Sequence, residues 1–433
     1  RLKESTLLSD DFFTGSSPQV TGLNTFRFSG TDSKYYSARL YSTWTDRIST
    51  ELRWSHANIV DIQDPVGGGE AQLDNPIPRI IVGVDNPPVG NIDDQDVPDA
   101  VILAGPGTSR SANDLKTKVD LWKAVANFDG GDHRLKVGAE VNKADIFNLF
   151  VQNATGTLVF RNLADLQAGL LSPGEALPDP SDPDDDICTP TNSTFPDNVV
   201  NGCAFGAFGN FSRTGDVTDA AAAFKRTIYS MYFQDDWRVN DRLNGVLGVR
   251  MDMSDGGSPD LNPNFVNRYG FDNTTGFDDI DPVFLPRIGL TYDLSDFSVF
   301  SRSKLQGGVG IFSGGDPLVW FGNAFQNNGF GFAEGTTGSS ACPDGQISVI
   351  TNGQFTGLPE CFRQDGIDRA AAGQGDTQSI DPDIKAPTVW RANIGWQTDI
   401  DLGASPFASG WRLNLDYIYS RYKKPFTIVD LSQ

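Results

Sequence analysis

The 433 residues allow one large domain or roughly two to three ordinary ones, and a formal net charge of −22 argues against a nucleic-acid partner, because phosphate binding needs clustered Lys and Arg. Hydrophobic residues make up 38%, yet 46 Gly, 29 Phe and 8 Trp suit β structure with many turns. No run of about 18 apolar residues is present, which excludes a membrane-spanning helix; neither an initiator Met nor a signal peptide opens the chain, and "RLKESTLLSDD" reads as the middle of something longer.

Along the chain, polar–apolar alternation of period two recurs in segments long for ordinary strands. In 36–44, Tyr36, Ala38, Leu40, Ser42 and Trp44 oppose Ser37, Arg39, Tyr41 and Thr43. In 48–55, Ile48, Thr50, Leu52 and Trp54 oppose Ser49, Glu51, Arg53 and Ser55. Segment 116–128 is strand-like but less clean, and 134–141 sets Leu135, Val137, Ala139 and Val141 against Arg134, Lys136, Gly138 and Glu140. The stretch 229–252, which includes "YFQDDWRVNDRLNGVLGVRMD" (232–252), holds two more such runs: Tyr229, Met231, Phe233 and Trp237 oppose Ser230, Tyr232, Gln234, Asp236 and Arg238, and Leu243, Leu247, Val249 and Met251 oppose Asn244, Gly248, Arg250 and Asp252. The pattern returns in 287–293, 299–312, 390–399 and 411–420, where Trp390, Ala392, Ile394, Trp396 and Trp411, Leu413, Leu415, Tyr417, Tyr419 are the apolar sets.

Short and long connections alternate between these segments. The short ones are "TDR" (45–47), "DGGD" (129–132), "VNDR" (239–242), "LSDF" (294–297) and a modest link at 400–410. The long ones cover approximately 57–115, 145–225, 254–284 and 313–386 and are rich in Pro, Gly and Asp. In an up-and-down antiparallel sheet, alternate connections lie at opposite ends. Every short turn therefore sits at one end and every long loop at the other. Trp44, Phe128, Trp237, Tyr292 and Trp411 stand beside the short turns, where amphipathic rings form a girdle at a membrane boundary. Lipid offers no hydrogen bonds to a backbone, so a spanning sheet must close on itself, apolar side out. The expectation is an all-β, antiparallel up-and-down transmembrane β-barrel with short periplasmic turns and long extracellular loops. A soluble sandwich or propeller also shows one-sided alternation, but its strands usually have about 5–6 residues.

Cys188, Cys203, Cys342 and Cys361 form two local pairs in loop sequence, with no CxxC motif and no neighbouring His. Two loop disulfides, each stabilising by roughly 3 kcal/mol, fit better than zinc and imply an oxidising compartment. The two His, His56 and His133, have no partner pattern for a nucleophile or metal, and no GxSxG, HExxH or P-loop occurs. No catalytic residue, metal site or cofactor is expected. The acidic runs 182–186 and 93–96 read as solvated loops rather than Ca²⁺ sites, and the sequons at Asn153, Asn192, Asn210 and Asn273 as chance products of Asn- and Thr-rich loops. "SGGDPLVWFGNAFQNNGFGF" (313–332) is dense in aromatic and amide side chains. It suits ligand contact through Asp316, Trp320, Asn323, Gln326 and Asn327, and equally a loop folded inward on itself.

Several segments resemble the TonB-dependent outer-membrane receptors, and the Oar-like branch in particular. "YFQDDWRVNDRLNGVLGVRMD", "LPRIGLTYDL" (285–294), "GGVGIFSGGDPLVWFGNAFQNNG" (307–329), the stretch 131–169 and "PTVWRANIGW" (387–396) carry the likeness in shared order. The resemblance implies a barrel of about 22 strands filled by an N-terminal plug. It also implies substrate binding by extracellular loops and plug, and plug movement driven by an inner-membrane TonB complex. No plug and no TonB box is recognisable here, and the ending "YKKPFTIVDLSQ" departs from the aromatic-terminated last strand of such barrels. The roughly 10–12 strands legible make about half of such a barrel. The expected partners are outer-membrane lipid, the TonB complex through an N-terminal region absent here, and an unknown extracellular ligand. The expected role is uptake of a bulky nutrient across the outer membrane of a Gram-negative bacterium. The alternative is a non-transporting scaffold or adhesin that binds a partner through its long disulfide-bonded loops.

Overall fold

The structure, a computed structural model, describes residues 1–9, 19–85, 99–174, 195, 197–294, 296–314, 317–343, 345–403, 407–408 and 410–431. In chain order these residues form β1 (Leu2–Ser9), β2 (Gln19–Thr21), β3 (Phe26–Thr43), β4 (Ile48–Pro65), β5 (Arg79–Val84), β6 (Ala100–Ala104), β7 (Asn113–Asp129) and β8 (His133–Phe150). Next come β9 (Thr157–Phe160), α1 (Leu163–Ala168), α2 (Asp197–Val200), β10 (Ala207–Ser212), β11 (Ala222–Arg238), β12 (Leu243–Gly256), α3 (Pro263–Tyr269), β13 (Val283–Asp293) and β14 (Phe300–Ser313). The rest is α4 (Leu318–Gln326), β15 (Phe332–Thr336), β16 (Ile350–Thr351), β17 (Gln354–Phe355), α5 (Glu360–Ala371), β18 (Thr388–Ile400) and β19 (Trp411–Lys424).

The fold is all-β. Eleven strands make one antiparallel up-and-down sheet in the order β1-β3-β4-β7-β8-β11-β12-β13-β14-β18-β19. Its register turns the period-two pattern into two chemically opposite faces. One ladder row reads Leu40–Leu52–Ala124–Ala139–Met231–Met251–Phe284. The next row, pointing the other way, reads Arg39–Arg53–Lys123–Glu140–Ser230–Asp252. Leu40, Leu52, Met231 and Phe284 are 58%, 51%, 57% and 61% exposed, as expected of a face that lipid covers.

Aromatic residues bound that face at both heights. Tyr36 and Trp44, Tyr229 and Trp237, Phe284 and Tyr292, and Trp411 and Tyr419 each lie eight positions apart on one strand. At about 3.3 Å per residue this is roughly 26 Å along the strand, or about 20 Å along the membrane normal at the usual barrel tilt, close to the band of lipid-facing barrels.

The short turns are shaped by side chains. Asn240 Oδ1 accepts from the Arg242 and Leu243 amides at 2.9 and 3.0 Å, and Thr45 Oγ1 accepts from Arg47 and Ile48 at 3.2 and 3.0 Å. Gly131 takes φ 87°, a left-handed turn position that costs other residues, while its amide donates to Asp129.

At the opposite end the strands run past the apolar band. β3, β4 and β8 have 18 residues each, whereas about 9–11 suffice to span a membrane. Alternation fades above the upper aromatic ring, so β4 runs to Pro65 although the apolar pattern fades near 56. The long connections then form a second sheet, in the order β15-β10-β9-β5-β6-β2. Its strands come from four different connections, and β5 runs parallel to β9 and β2 to β6. Both faces are covered. Val82, Leu158, Phe160, Phe211 and Phe362 form the core on one side, and Ile81, Val101, Leu103, Val159 and Val199 on the other. Helix α5 approaches β15 so closely that a Cβ on Gly335 would stand 1.9 Å from the Phe362 carbonyl. The Cys342–Cys361 disulfide fixes the start of that helix. Cys203 is also disulfide-bonded, and Cys188 lies outside the described residues.

Candidate functional site

Helix α4 carries the aromatic and amide stretch. Its two faces have separate tasks. Phe321 and Ala324 are fully buried, packed with Ala144, Ile146, Ala222, Phe224, Phe277 and Ile380. Phe321 stacks on Phe277 at 4.1 Å between centroids, and Phe325 on Phe224 at 4.8 Å. Ile146 and Phe224 lie on the face of the wall opposite the Leu and Met rows, so α4 packs against that inward face over β8 and β11. Trp320 and Asn323 occupy the other face, at i and i+3, with Asn327 just past the helix end. Trp320 is 44% exposed. The side-chain amides of the half-buried Asn323 and Asn327 have no hydrogen-bond partner among the described residues. Gln326 is placed differently: it is buried, and its Nε2 donates to the Phe150 carbonyl at 2.8 Å. Asp316 lies outside the described residues.

Buried asparagines brace the connections to one another, a role the sequence did not signal. Asn262 caps α3, accepting from the Asn264 amide at 3.0 Å, while its Nδ2 donates to the carbonyls of Asn328 and Gly373, both at 3.0 Å. Asn153, in the left-handed region at φ 52°, donates from Nδ2 to Phe208 O at 3.0 Å and accepts from Thr157 Oγ1 at 2.6 Å. The stretch "NPNF" (262–265) carries a cap signature, Asn followed by Pro, that marks the helix start but not its distant partners. Asn273 is fully buried, and Asn210 donates to Gln152 O at 2.8 Å. Asn192 and the acidic runs 182–186 and 93–96 lie outside the described residues.

Below α4 the inner wall is charged. Arg250 pairs with Glu140 at 3.1 Å and Asp252 at 2.7 Å and donates to Ser230 Oγ at 2.7 Å. Lys123 pairs with the same Glu140 at 3.0 Å. The Tyr232 ring lies between the two cations, 5.5 Å from Lys123 and 5.9 Å from Arg250. It covers Gly138, where a Cβ would come within 2.1 Å of the ring. The sequence showed these residues as one polar face; which of them meet depends on the register. Both histidines have acquired carboxylate partners on the outward face: His56 with Asp120 at 2.9 Å and His133 with Asp235 at 2.8 Å.

In the connections, burial pushes the Glu70 carboxyl up to about 7, with Asp64 and Asp114 adding repulsion, and burial raises Glu334 as well. Asp216 and Asp272 are lowered by hydrogen bonds from Thr218 and Thr274. No group of three or more His, Cys, Asp or Glu among the described residues has metal-ligand geometry.

The family model of the outer membrane beta barrel domain matches residues 8–429. The chain belongs to that family. Its place is the outer membrane of a Gram-negative bacterium. Among solved structures it is similar to the outer membrane transporter YddB from Escherichia coli, at 13% identity over 92% of this chain and 35% of that one, with a TM-score of 0.45. It is also similar to the ferric-catecholate import receptor Fiu from E. coli K12, at 12% identity, 91% and 45% coverage and a TM-score of 0.37. A third is the siderophore receptor PirA from Acinetobacter baumannii, at 13%, 91% and 43%, and 0.32. The chain thus spans less than half the length of each of these three proteins. No curated protein shows significant sequence similarity to it.

Proposed function

We propose that this outer-membrane β-barrel chain is the wall portion of a TonB-dependent receptor of the Oar-like branch that imports a bulky nutrient, with its long connections outside the cell. The observation that carries this reading is the position of α4. Packed on the inward face of the wall, the helix carries Trp320 and Asn323, with Asn327 just after its end, on the side away from Phe321 and Ala324, beyond the charged cluster around Arg250. Entering solute would meet an aromatic–amide surface first and a charged wall next. Asp316 belongs to the same proposed contact residues, and in this reading a plug with a TonB-binding segment supplies the moving part.

The test is uptake. Strains lacking the receptor, the energising TonB protein, or neither are compared for use of siderophores, oligosaccharides and peptides as sole sources of iron, carbon or nitrogen. Import predicts that one compound class is lost in both deletions. A compound used equally well without TonB counts against the reading. The scaffold alternative draws support from the braced connections, since two-sided cores, asparagine cross-ties and a disulfide suit a fixed partner surface. A stable extracellular partner in pull-down, with no uptake defect, would favour it.

A further inference from the structure

The outward face of β3, β4, β7, β8 and β11 carries a vertical strip that import does not use. At its top, one ladder row reads Lys34–Asn58–Lys118–Asp145–Lys225, and the row below reads Tyr36–His56–Asp120–Lys143–Thr227. Five of the chain's twelve lysines (Lys34, Lys116, Lys118, Lys143 and Lys225) gather here in a protein of net charge −22. Among the described residues Lys34, Lys118, Lys143 and Lys225 form no salt bridge, and all four are exposed. Of the interleaved acids, Asp120 already accepts from His56 at 2.9 Å and Trp54 Nε1 at 3.3 Å, while Asp145 stands between Lys118 and Lys225.

Just below, Trp54 and Trp122 lie 6.0 Å apart, Trp122 is 57% exposed, and a groove runs beside them between Asp120 and Lys143. The next two rows down open into an apolar trough of about 690 Å³. Its floor is Ala124, Ala126 and Ala139, and Leu52, Val137 and Met231 stand along its sides. Small side chains among large ones on a lipid-covered face leave an open apolar depression there. The cations stand above the Trp54–Trp122–Val141–Tyr229 row, Lys143 level with Tyr36 and Lys118 and Lys225 one row farther out, at headgroup height.

We infer that this strip binds one phosphorylated glycolipid of the leaflet on the long-connection side. Its acyl chain fills the alanine trough, its sugar lies on Trp122 with Asp120 accepting a hydroxyl, and its phosphate sits among Lys118, Lys143 and Lys225. An exposed indole beside a carboxylate fits a hydroxylated ring; a glycerophospholipid headgroup has no ring to stack there. The inference rests on placement in the outer membrane and does not require import.

Full-length protein, extracted in mild detergent and delipidated, is titrated with bisphosphorylated lipid A, phosphatidylglycerol or inorganic phosphate and weighed intact by native mass spectrometry. Wild type is expected to retain lipid A over phosphatidylglycerol and to retain no free phosphate. K118Q/K143Q should weaken lipid A binding about 10-fold. A124L/A139L fills the trough while keeping every charge, and should weaken both lipids. W122A, a change at an exposed ring, carries the test if either double variant fails to reach the membrane, and should abolish the preference for lipid A. Equal retention by wild type and variants overturns the proposal. So does phosphatidylglycerol bound as tightly as lipid A, or free phosphate retained without lipid. Failure of the uptake test with lipid A retention intact counts against import alone.

Discussion

The Gln326 amide donates to the Phe150 carbonyl across 2.8 Å, joining the end of α4 to the end of β8. The carbonyl belongs to the last residue of a strand, at the end of its ladder, and the Gln326 side that meets it is buried. Removing the amide leaves that acceptor unpaired, which costs about 1–3 kcal/mol. Gln326→Leu should therefore raise amide exchange across 318–326 while the barrel strands stay protected. Phe321→Ala should cost more, about 3–5 kcal/mol, because it empties the stack on Phe277. If exchange in α4 is unchanged in Gln326→Leu, the bond is not what holds the helix.

Reduction should loosen the outer sheet and spare the wall. The Cys342–Cys361 bridge closes a loop of sequence separation 19, worth about 3 kcal/mol in the chain-entropy picture. It tethers α5, whose Phe362 packs edge-on to Phe211 at 5.4 Å. Cys342→Ala/Cys361→Ala should be cut by protease within 337–375 under conditions where wild type is not. Barrel strands should stay resistant in both. Cleavage at equal rates would show that α5 is held by packing alone.

The wall could be read from the sequence because its information is local. Alternation along one strand fixes which side chains meet lipid, and Trp44, Trp237, Tyr292 and Trp411 mark the lower edge without reference to any neighbour. The outer sheet could not be read that way. Its strands have three to six residues and pair across different connections, so β5 and β9 each look like a short apolar piece of loop. Gln326 shows the same limit. Its partner is a backbone carbonyl 176 residues away, a relation no composition signal carries. Trp320 and Asn323 lie on the side of α4 away from its buried Phe321 and Ala324, with Asn327 just past its end, and the spacing that puts the first two there is local once a helix is assumed.

Glu70 makes the connection 66–78 sensitive to pH. The folded carboxyl sits at about 7 against an ordinary 4.5, raised first by burial. The folded state therefore holds more protons than the unfolded one between these values. Its stability contribution is fully present below about 4.5 and is lost as pH rises to about 7, with little further change above. The span is at most about 3 kcal/mol. Amide protection in 66–78, taken as exchange relative to the intrinsic rate at each pH, should fall between pH 5 and pH 7.5, and Glu70→Gln should keep it high at both. A loop equally protected at both pH values in wild type would mean that Glu70 stays charged without penalty.

Val249 and Gln234 occupy neighbouring rows on opposite faces. Val249 pairs in register with Phe233, midway between the Tyr229 and Trp237 aromatic levels, and is 43% exposed on the outward side. Gln234 points inward and donates to Asp236 at 2.8 Å. Arginine at mid-depth on a lipid face costs about 2–4 kcal/mol, whereas a wet interior admits it. Val249→Arg should lower the stability of full-length protein in lipid vesicles by that amount, read from urea titration, and Gln234→Arg should change it by less than about 1 kcal/mol. Equal costs for the two, or a larger cost for Gln234→Arg, would mean the Leu, Val and Met faces do not look onto hydrocarbon.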